Sequence, residues 1–208
     1  MFSKLRFMLI AFLTLPFIFG CVALRAKIPV ESRSSQPGTT VSRGGAPVNL
    51  LGTAVAVGQP IPSVKLVDAA ALKDVDLAQE KGSLVFLSLV PSLDTPVCEE
   101  QTHYLGEEGE KLPKEIRRIT ISRDTPFAQK RFAKEAKLTN LQYLSDYKDG
   151  SFGRATGLLM EGSLLLARSI MLVDKKGIIR YIQVVPEITH LPDMERAFAV
   201  ATEMAKEP

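Results

Sequence analysis

Cysteine and histidine are scarce in this chain. Its 208 residues include two cysteines, Cys21 and Cys98, and two histidines, His103 and His190. Two cysteines cannot build a disulfide framework, and with so few histidines a Cys/His metal cage is not expected. There is no phosphate-binding glycine loop, no G-x-S-x-G and no zinc motif. No internal repeat is evident. Neither charge sign dominates: 26 basic against 23 acidic side chains give a formal net charge of +3, no reason to invoke nucleic acid or an anionic membrane surface. The composition excludes collagen, coiled coil and wholesale disorder. The length suits one globular core and is too short for two comfortable domains.

A short basic head (Lys4, Arg6) precedes an apolar run over residues 7–19, broken by Thr14 and Pro16. A basic start, an apolar stretch of about 7–15 residues and a small residue at the cleavage point describe an export signal. The run is shorter than the roughly 20 apolar residues that span a bilayer. Ile18-Phe19-Gly20-Cys21 resembles the lipobox of bacterial lipoproteins, which implies cleavage before Cys21 and acylation of its sulfur and amino group. An uncleaved anchor and a plain secretory peptide are the alternatives. Each places the remainder outside the cytoplasm, and the lipobox reading anchors it to a membrane of a bacterial cell envelope. Losing Lys4 and Arg6 lowers the net charge from +3 to +1. Residues 21–45, with several Ser, Gly and Pro, read as a flexible tether, and residues 46–208 as the folded domain.

Within that domain, residues 48–57 are β-rich and interrupted by Gly52, as in a small hairpin. Residues 64–67 suggest a short strand. Residues 83–90 are nearly all apolar, as in a strand buried on both faces. A helix is expected over 96–111, a strand over 116–122, a helix over 125–137 with Ala128, Phe132 and Ala136 on one face, and a short strand over 141–144. Strands at 168–173 and 178–185 flank a Lys175-Lys176-Gly177 turn, and a helix over 192–206 closes the chain. Alternating strands and helices with a terminal antiparallel hairpin give an α/β, thioredoxin-like sandwich with an N-terminal β-hairpin.

Cys98 follows the buried strand in Pro91-Ser-Leu-Asp-Thr95-Pro96-Val-Cys98. Proline is favoured at the first helical position, which makes Thr95 the N-cap and Cys98 the third helical residue. There the sulfur faces the positive end of the helix dipole and free backbone N–H groups, which favour thiolate over thiol. Thr95 lies one turn earlier on the same face, where its hydroxyl can accept from the backbone and donate to an incoming oxygen. Arg168 interrupts the apolar run 164–173. A buried arginine is costly unless paired, and a thiolate would pair it. Blander roles also fit: Cys98 as a small core hydrophobe, Thr95 as a cap, Pro91 as a strand terminator, Arg168 at a strand edge with its head in water, and the histidines as polar surface groups. Asp124-Thr125-Pro126 repeats the capping pattern without a cysteine and reads only as a helix start.

Together these residues resemble the peroxiredoxins, specifically their bacterial thiol peroxidase branch. Pro91, Thr95 and Cys98 match the P-x-x-x-T-x-x-C motif. Further stretches similar to that branch lie at 125–132, 144–153, 165–169 and 185–189, so the resemblance covers the whole domain. It implies a thioredoxin fold, often dimeric, and a peroxidatic Cys98 activated by Thr95 and Arg168, with Pro91 shielding the pocket. It implies hydrogen peroxide and organic hydroperoxides as substrates, and no metal, haem or other cofactor. In this branch a resolving cysteine usually follows Arg-Phe of the next helix; here that position is Ala133. A one-cysteine cycle with an external thiol reductant is therefore expected. Dithiol exchange needs Cys-x-x-Cys, and residues 95–98 offer only Thr95 and Cys98. A thioredoxin-like copper chaperone would want two cysteines and a nearby histidine. The alternative is a non-enzymatic, membrane-tethered peroxide sensor or binding module.

Overall fold

The structure, a computed structural model, describes residues 27–206. The export signal and Cys21 lie outside them.

Leu84–Leu89 (β6) is buried at every position. Its side chains alternate between two apolar clusters. Val85, Leu87 and Leu89 enter one, and Leu84 and Phe86 the other. A strand feeding two cores must be covered on both faces, which explains its unbroken apolar sequence. Ile116–Ser122 (β7) and Gln142–Ser145 (β8) extend the sheet in parallel beside it. Ser169–Val173 (β10) pairs antiparallel on its other side, followed by Ile179–Val184 (β11). Leu66–Asp68 (β4) and Asp74–Val75 (β5) complete a seven-stranded mixed sheet in the order β11-β10-β6-β7-β8-β4-β5.

Pro96–Glu107 (α1), Pro126–Glu135 (α2) and Met194–Ala205 (α4) cover one face. On α4, Ala197, Phe198 and Ala201 are buried, and the Phe198 ring meets Phe86 edge-on with centroids 5.4 Å apart. Such edge-to-face contacts add about 0.5–1.5 kcal/mol to the area buried. On the other face lie Ser151–Thr156 (α3) and a small sheet of Thr40–Arg43 (β2), Ala46–Leu51 (β3) and Leu159–Met160 (β9). Val30–Glu31 (β1) pairs with Leu191–Pro192 (β12). The α/β sandwich and its N-terminal hairpin match the expectation.

Two boundaries differ. The stretch expected to be a tether through residue 45 carries β1 and β2. It is held by distant partners: Ser35 N–H bonds the Val184 carbonyl at 2.8 Å, and Gln183 Nε2 bonds the carbonyls of Glu31 and Arg33 at 2.6 and 3.2 Å. The hairpin is β2–β3, turning at Gly44-Gly45 and not at Gly52. Gly52 serves close approach instead: a Cβ there would lie 1.9 Å from the Arg154 carbonyl oxygen. Smaller differences concern α3, which the sequence did not suggest, and residues 108–111, which tighten into a 3-10 turn after α1.

Candidate active site

The sheet brings three chain segments to one edge. α1 leaves the carboxyl end of β6. β10 runs antiparallel to β6, with Ser169 opposite Leu89, so Arg168 enters beside the same end. β7 runs parallel to β6, with Ile121 opposite Leu89, so the segment after Ser122 arrives there too. Ligands of open α/β sheets sit outside the carboxyl ends of such strands.

Cys98 lies in the first turn of α1, fully buried, behind the N-cap Thr95 and a proline at the helix start. Arg168 is 2% exposed, which removes the alternative of a head group in water. Its Nη2 donates to Cys98 Sγ at 3.3 Å. Nη1 donates to Gln101 Oε1 at 2.7 Å and to the Val97 carbonyl at 3.3 Å, and Nε donates to the Ile188 carbonyl at 2.8 Å. Burial pushes the guanidinium down from its ordinary value, and the contact with Cys98 works against that shift. Among the described residues, this guanidinium is the charged group that hydrogen-bonds Cys98 Sγ.

Gln101 is a partner that sequence reasoning missed. It lies one turn after Cys98 on the same helix face, fully buried, and its Nε2 donates to Ser88 Oγ at 2.8 Å. Its amide thus joins Arg168 to the sheet. The signal was present as a polar residue at i+3 from the cysteine.

Asp124 is the second omission. Its carboxylate accepts from Ser92 Oγ, the Leu93 N–H and Ser122 Oγ, each at 2.7 Å. It pins the 91–95 loop to the end of β7. The repeated Asp-Thr-Pro therefore does more than start a helix, although Thr125 does cap α2 by accepting from Ala128 N–H at 3.3 Å.

Thr95 is exposed and occupies the N-cap, but its side chain makes no capping bond. Its hydroxyl donates to the Ser92 carbonyl at 3.0 Å, and the Cys98 N–H turns to the Thr95 carbonyl, also at 3.0 Å. That corrects two expectations. The hydroxyl does not accept from the backbone, and its single hydrogen is given to a carbonyl three residues back. The helix end also offers the sulfur fewer free N–H groups than expected, so Arg168 is its principal partner. Pro91 is buried just after Val90, whose N–H still bonds the Ile121 carbonyl. Proline has no N–H with which to continue the ladder. The histidines stand apart from this site: His103 Nδ1 contacts Glu107 at 2.8 Å, and His190 lies 3.9 Å from Glu31.

The comparisons with known proteins cover the stretch that holds the buried thiol and the buried arginine. Residues 56–198, which include both groups, match the Redoxin family. The chain belongs to the Redoxin family. A thiol peroxidase of Staphylococcus saprophyticus is 41% identical over 151 residues, covering 73% of this chain and 90% of that one. A thiol peroxidase of Bacillus subtilis is 37% identical over 162 residues, covering 78% and 96%. These relatives place this redoxin in the bacterial thiol peroxidase branch. The crystal structure of a peroxiredoxin-like protein from Aquifex aeolicus superposes with a TM-score of 0.75 at 32% identity, covering 83% of this chain and 99% of that one. A thiol peroxidase from Chromobacterium violaceum, at 19% identity and a TM-score of 0.68 over 81% and 98%, shares the fold.

Ala133 of this redoxin sits on α2, packed against the same apolar cluster as Cys98. It lines a hollow of about 570 Å³ between α2 and the β8 edge, with Lys130, Lys134 and Tyr143; Cys98, Thr95 and Arg168 are not in its wall. Cys98 is the free cysteine among the described residues.

Proposed function

We propose that this chain is a thiol-dependent peroxidase that reduces hydrogen peroxide and organic hydroperoxides at Cys98, in a one-cysteine cycle closed by an external thiol. The observation that carries this is the Arg168 guanidinium, buried and 3.3 Å from Cys98 Sγ. The thiolate attacks one peroxide oxygen. The S–O bond forms as the O–O bond breaks, sulfur is oxidised by two electrons while the peroxide is reduced by two, and the leaving hydroxide or alkoxide takes from solvent a proton equal to the one the thiol gave up. Arg168 faces the charge that moves from sulfur onto oxygen, where a preorganised cation lowers the barrier. Thr95, exposed at the start of α1, turns its hydroxyl hydrogen from the Ser92 carbonyl to the incoming oxygen, and Pro91 keeps water from the sulfur.

The product is a sulfenic acid. Ala133 cannot condense with it. An external thiol forms a mixed disulfide and releases water, and a second thiol then restores Cys98. No metal, haem or other cofactor enters this cycle. The reductant is a small thiol or a thioredoxin-like protein, and the chain works as a homodimer. Residues 1–20 are removed and Cys21 is acylated, which anchors the domain on a membrane of the bacterial envelope.

The test is peroxide consumption by the purified chain with a panel of thiols, Cys98→Ser serving as control. Many equivalents consumed by the wild type and none by the variant support the cycle. Consumption that stops near one equivalent favours the sensor. An oxidised chain holding a Cys21–Cys98 disulfide refutes both the one-cysteine cycle and the acylation of Cys21. Release of Cys21→Ala from membranes tests the anchor, and a fully soluble wild type refutes it.

A further inference from the structure

Arg168 is gripped from two sides. Val97, Cys98 and Gln101 hold its guanidinium from α1, whereas the Ile188 carbonyl holds Nε from the loop after β11. That carbonyl is in turn fixed by the N-terminal hairpin. Ile188 N–H donates to the Ser42 carbonyl at 2.9 Å, and Ser42 N–H donates to the Pro186 carbonyl at 2.6 Å. Between these two backbone bonds stands Glu187. One of its carboxylate oxygens accepts from the Gly44 N–H at 2.9 Å and from the Thr189 hydroxyl and N–H at 2.8 and 3.2 Å. The other accepts from the Ser42 hydroxyl at 2.8 Å and the Gly45 N–H at 3.0 Å.

Gly44 and Gly45 both have positive φ, 59° and 82°. Consecutive left-handed residues turn successive N–H groups toward one side, a concavity suited to an anion. Burial opposes ionisation of Glu187, but the amides of Gly45 and Gly44 and the hydroxyls of Thr189 and Ser42 outweigh it, bringing its pKa down to about 2. The carboxylate is therefore charged at neutral pH and closes the hairpin onto the loop.

We propose that Glu187 is a positioning residue: by gathering the β2–β3 turn it fixes the Ile188 carbonyl, and through it the Arg168 guanidinium against Cys98. The inference rests on the peroxidase reading above. It makes the hairpin part of the catalytic apparatus, although Ser42 and Glu187 are separated by 145 positions in the chain.

The experiment compares the full chain with Glu187→Gln and measures two second-order constants, kcat/KM for peroxide and kcat/KM for the thiol. Gln cannot accept at both ends of its side chain, so the turn loosens. The peroxide constant falls about tenfold, the size expected for losing hydrogen bonds to a charged group, and the thiol constant stays at the wild-type value. In an Arg168→Met background Glu187→Gln costs nothing further, because its effect runs through Arg168. An unchanged peroxide constant overturns the proposal. So does an equal fall in both constants, which marks general loss of structure, or a full-sized effect on the Arg168→Met background. If Glu187→Gln does not fold, Ser42→Ala, which removes one hydroxyl, takes its place. A smaller loss confined to the peroxide constant supports the proposal, and no loss refutes it. A wild type that consumes no peroxide with any thiol refutes the peroxidase reading itself; a wild type that turns over beside an unaffected variant refutes only the positioning role.

Discussion

Replacing Arg168 with methionine keeps most of the side-chain volume and removes the charge beside Cys98. At 3.3 Å, opposite unit charges attract by about 5 kcal/mol at an effective dielectric constant of about 20. The cost of holding the guanidinium away from water cancels part of this. A preorganised cation facing a developing oxyanion is worth about 2.7–4 kcal/mol, so the rate constant for Cys98 oxidation falls about 100- to 1,000-fold. Stability follows a different balance. The Ile188 carbonyl and Gln101 Oε1 lose their donor, at about 1–3 kcal/mol for each buried group left unpaired. Removing a buried charge returns several kcal/mol, so the variant remains folded. Rapid-mixing measurement of reduced Cys98 against excess hydrogen peroxide gives the rate, and thermal unfolding gives the stability. A folded variant that reacts at the wild-type rate would refute the role assigned to Arg168.

Other perturbations separate the supporting groups. Gln101→Leu takes the shorter of two acceptors from Arg168 Nη1 and the donor from Ser88 Oγ, and lowers the peroxide rate constant about tenfold, with about 1–3 kcal/mol of lost stability by denaturant titration; wild-type values for both would contradict the bridge. Asp124→Ala frees Ser92 and the Leu93 N–H, so it loosens the 91–95 loop and slows Cys98 oxidation without moving Arg168; a variant indistinguishable from wild type in both rate and amide exchange at Leu93 would contradict the clamp. Acid should release the N-terminal segment first. The Arg33 side chain brings Glu31 down to about 2, and Glu187 lies at about 2, both below the ordinary 4.5. A carboxylate depressed in the folded state contributes stability that is fully present above about pH 4.5 and is lost as the pH falls through about 2. Amide protection in residues 30–45 therefore drops between about pH 4.5 and 2 while β6 and β7 stay protected; unchanged protection across residues 30–45 would contradict it.

Much of this site was legible because its signals are local. Thr95 and Pro96 fix a helix start, the unbroken apolar β6 marks a strand between two cores, and an arginine in an apolar run asks for a buried partner. β7 spans the residues that the pattern indicated. What escaped depends on contacts that no local pattern carries. Residues 30–45 look like a tether because their order comes from Gln183, Val184 and Glu187, far along the chain. Gly52 reads as a hairpin break because the Arg154 carbonyl packed against it belongs to a distant segment. α3 is short and bounded by left-handed Gly150 and Gly157, so it has little room for a helical period. Asp124 was visible as a capping pattern, but its hold on Ser92 and Leu93 follows from the parallel register of β6 and β7. The extent of the folded segment bears on design: a truncation starting at Val48 would remove Ser42, Gly44 and Gly45, which grip the loop behind Arg168.

The claim at the centre of this account is repeated turnover by Cys98 alone. The most direct measurement is the number of peroxide equivalents consumed by the Cys21→Ala chain, in which Cys98 is the sole cysteine, with an external thiol in excess. Consumption far beyond one equivalent, matched by oxidised thiol and abolished by Cys98→Ser, is the result predicted. A reaction that halts near one equivalent for every thiol tested, leaving Cys98 oxidised, would contradict it.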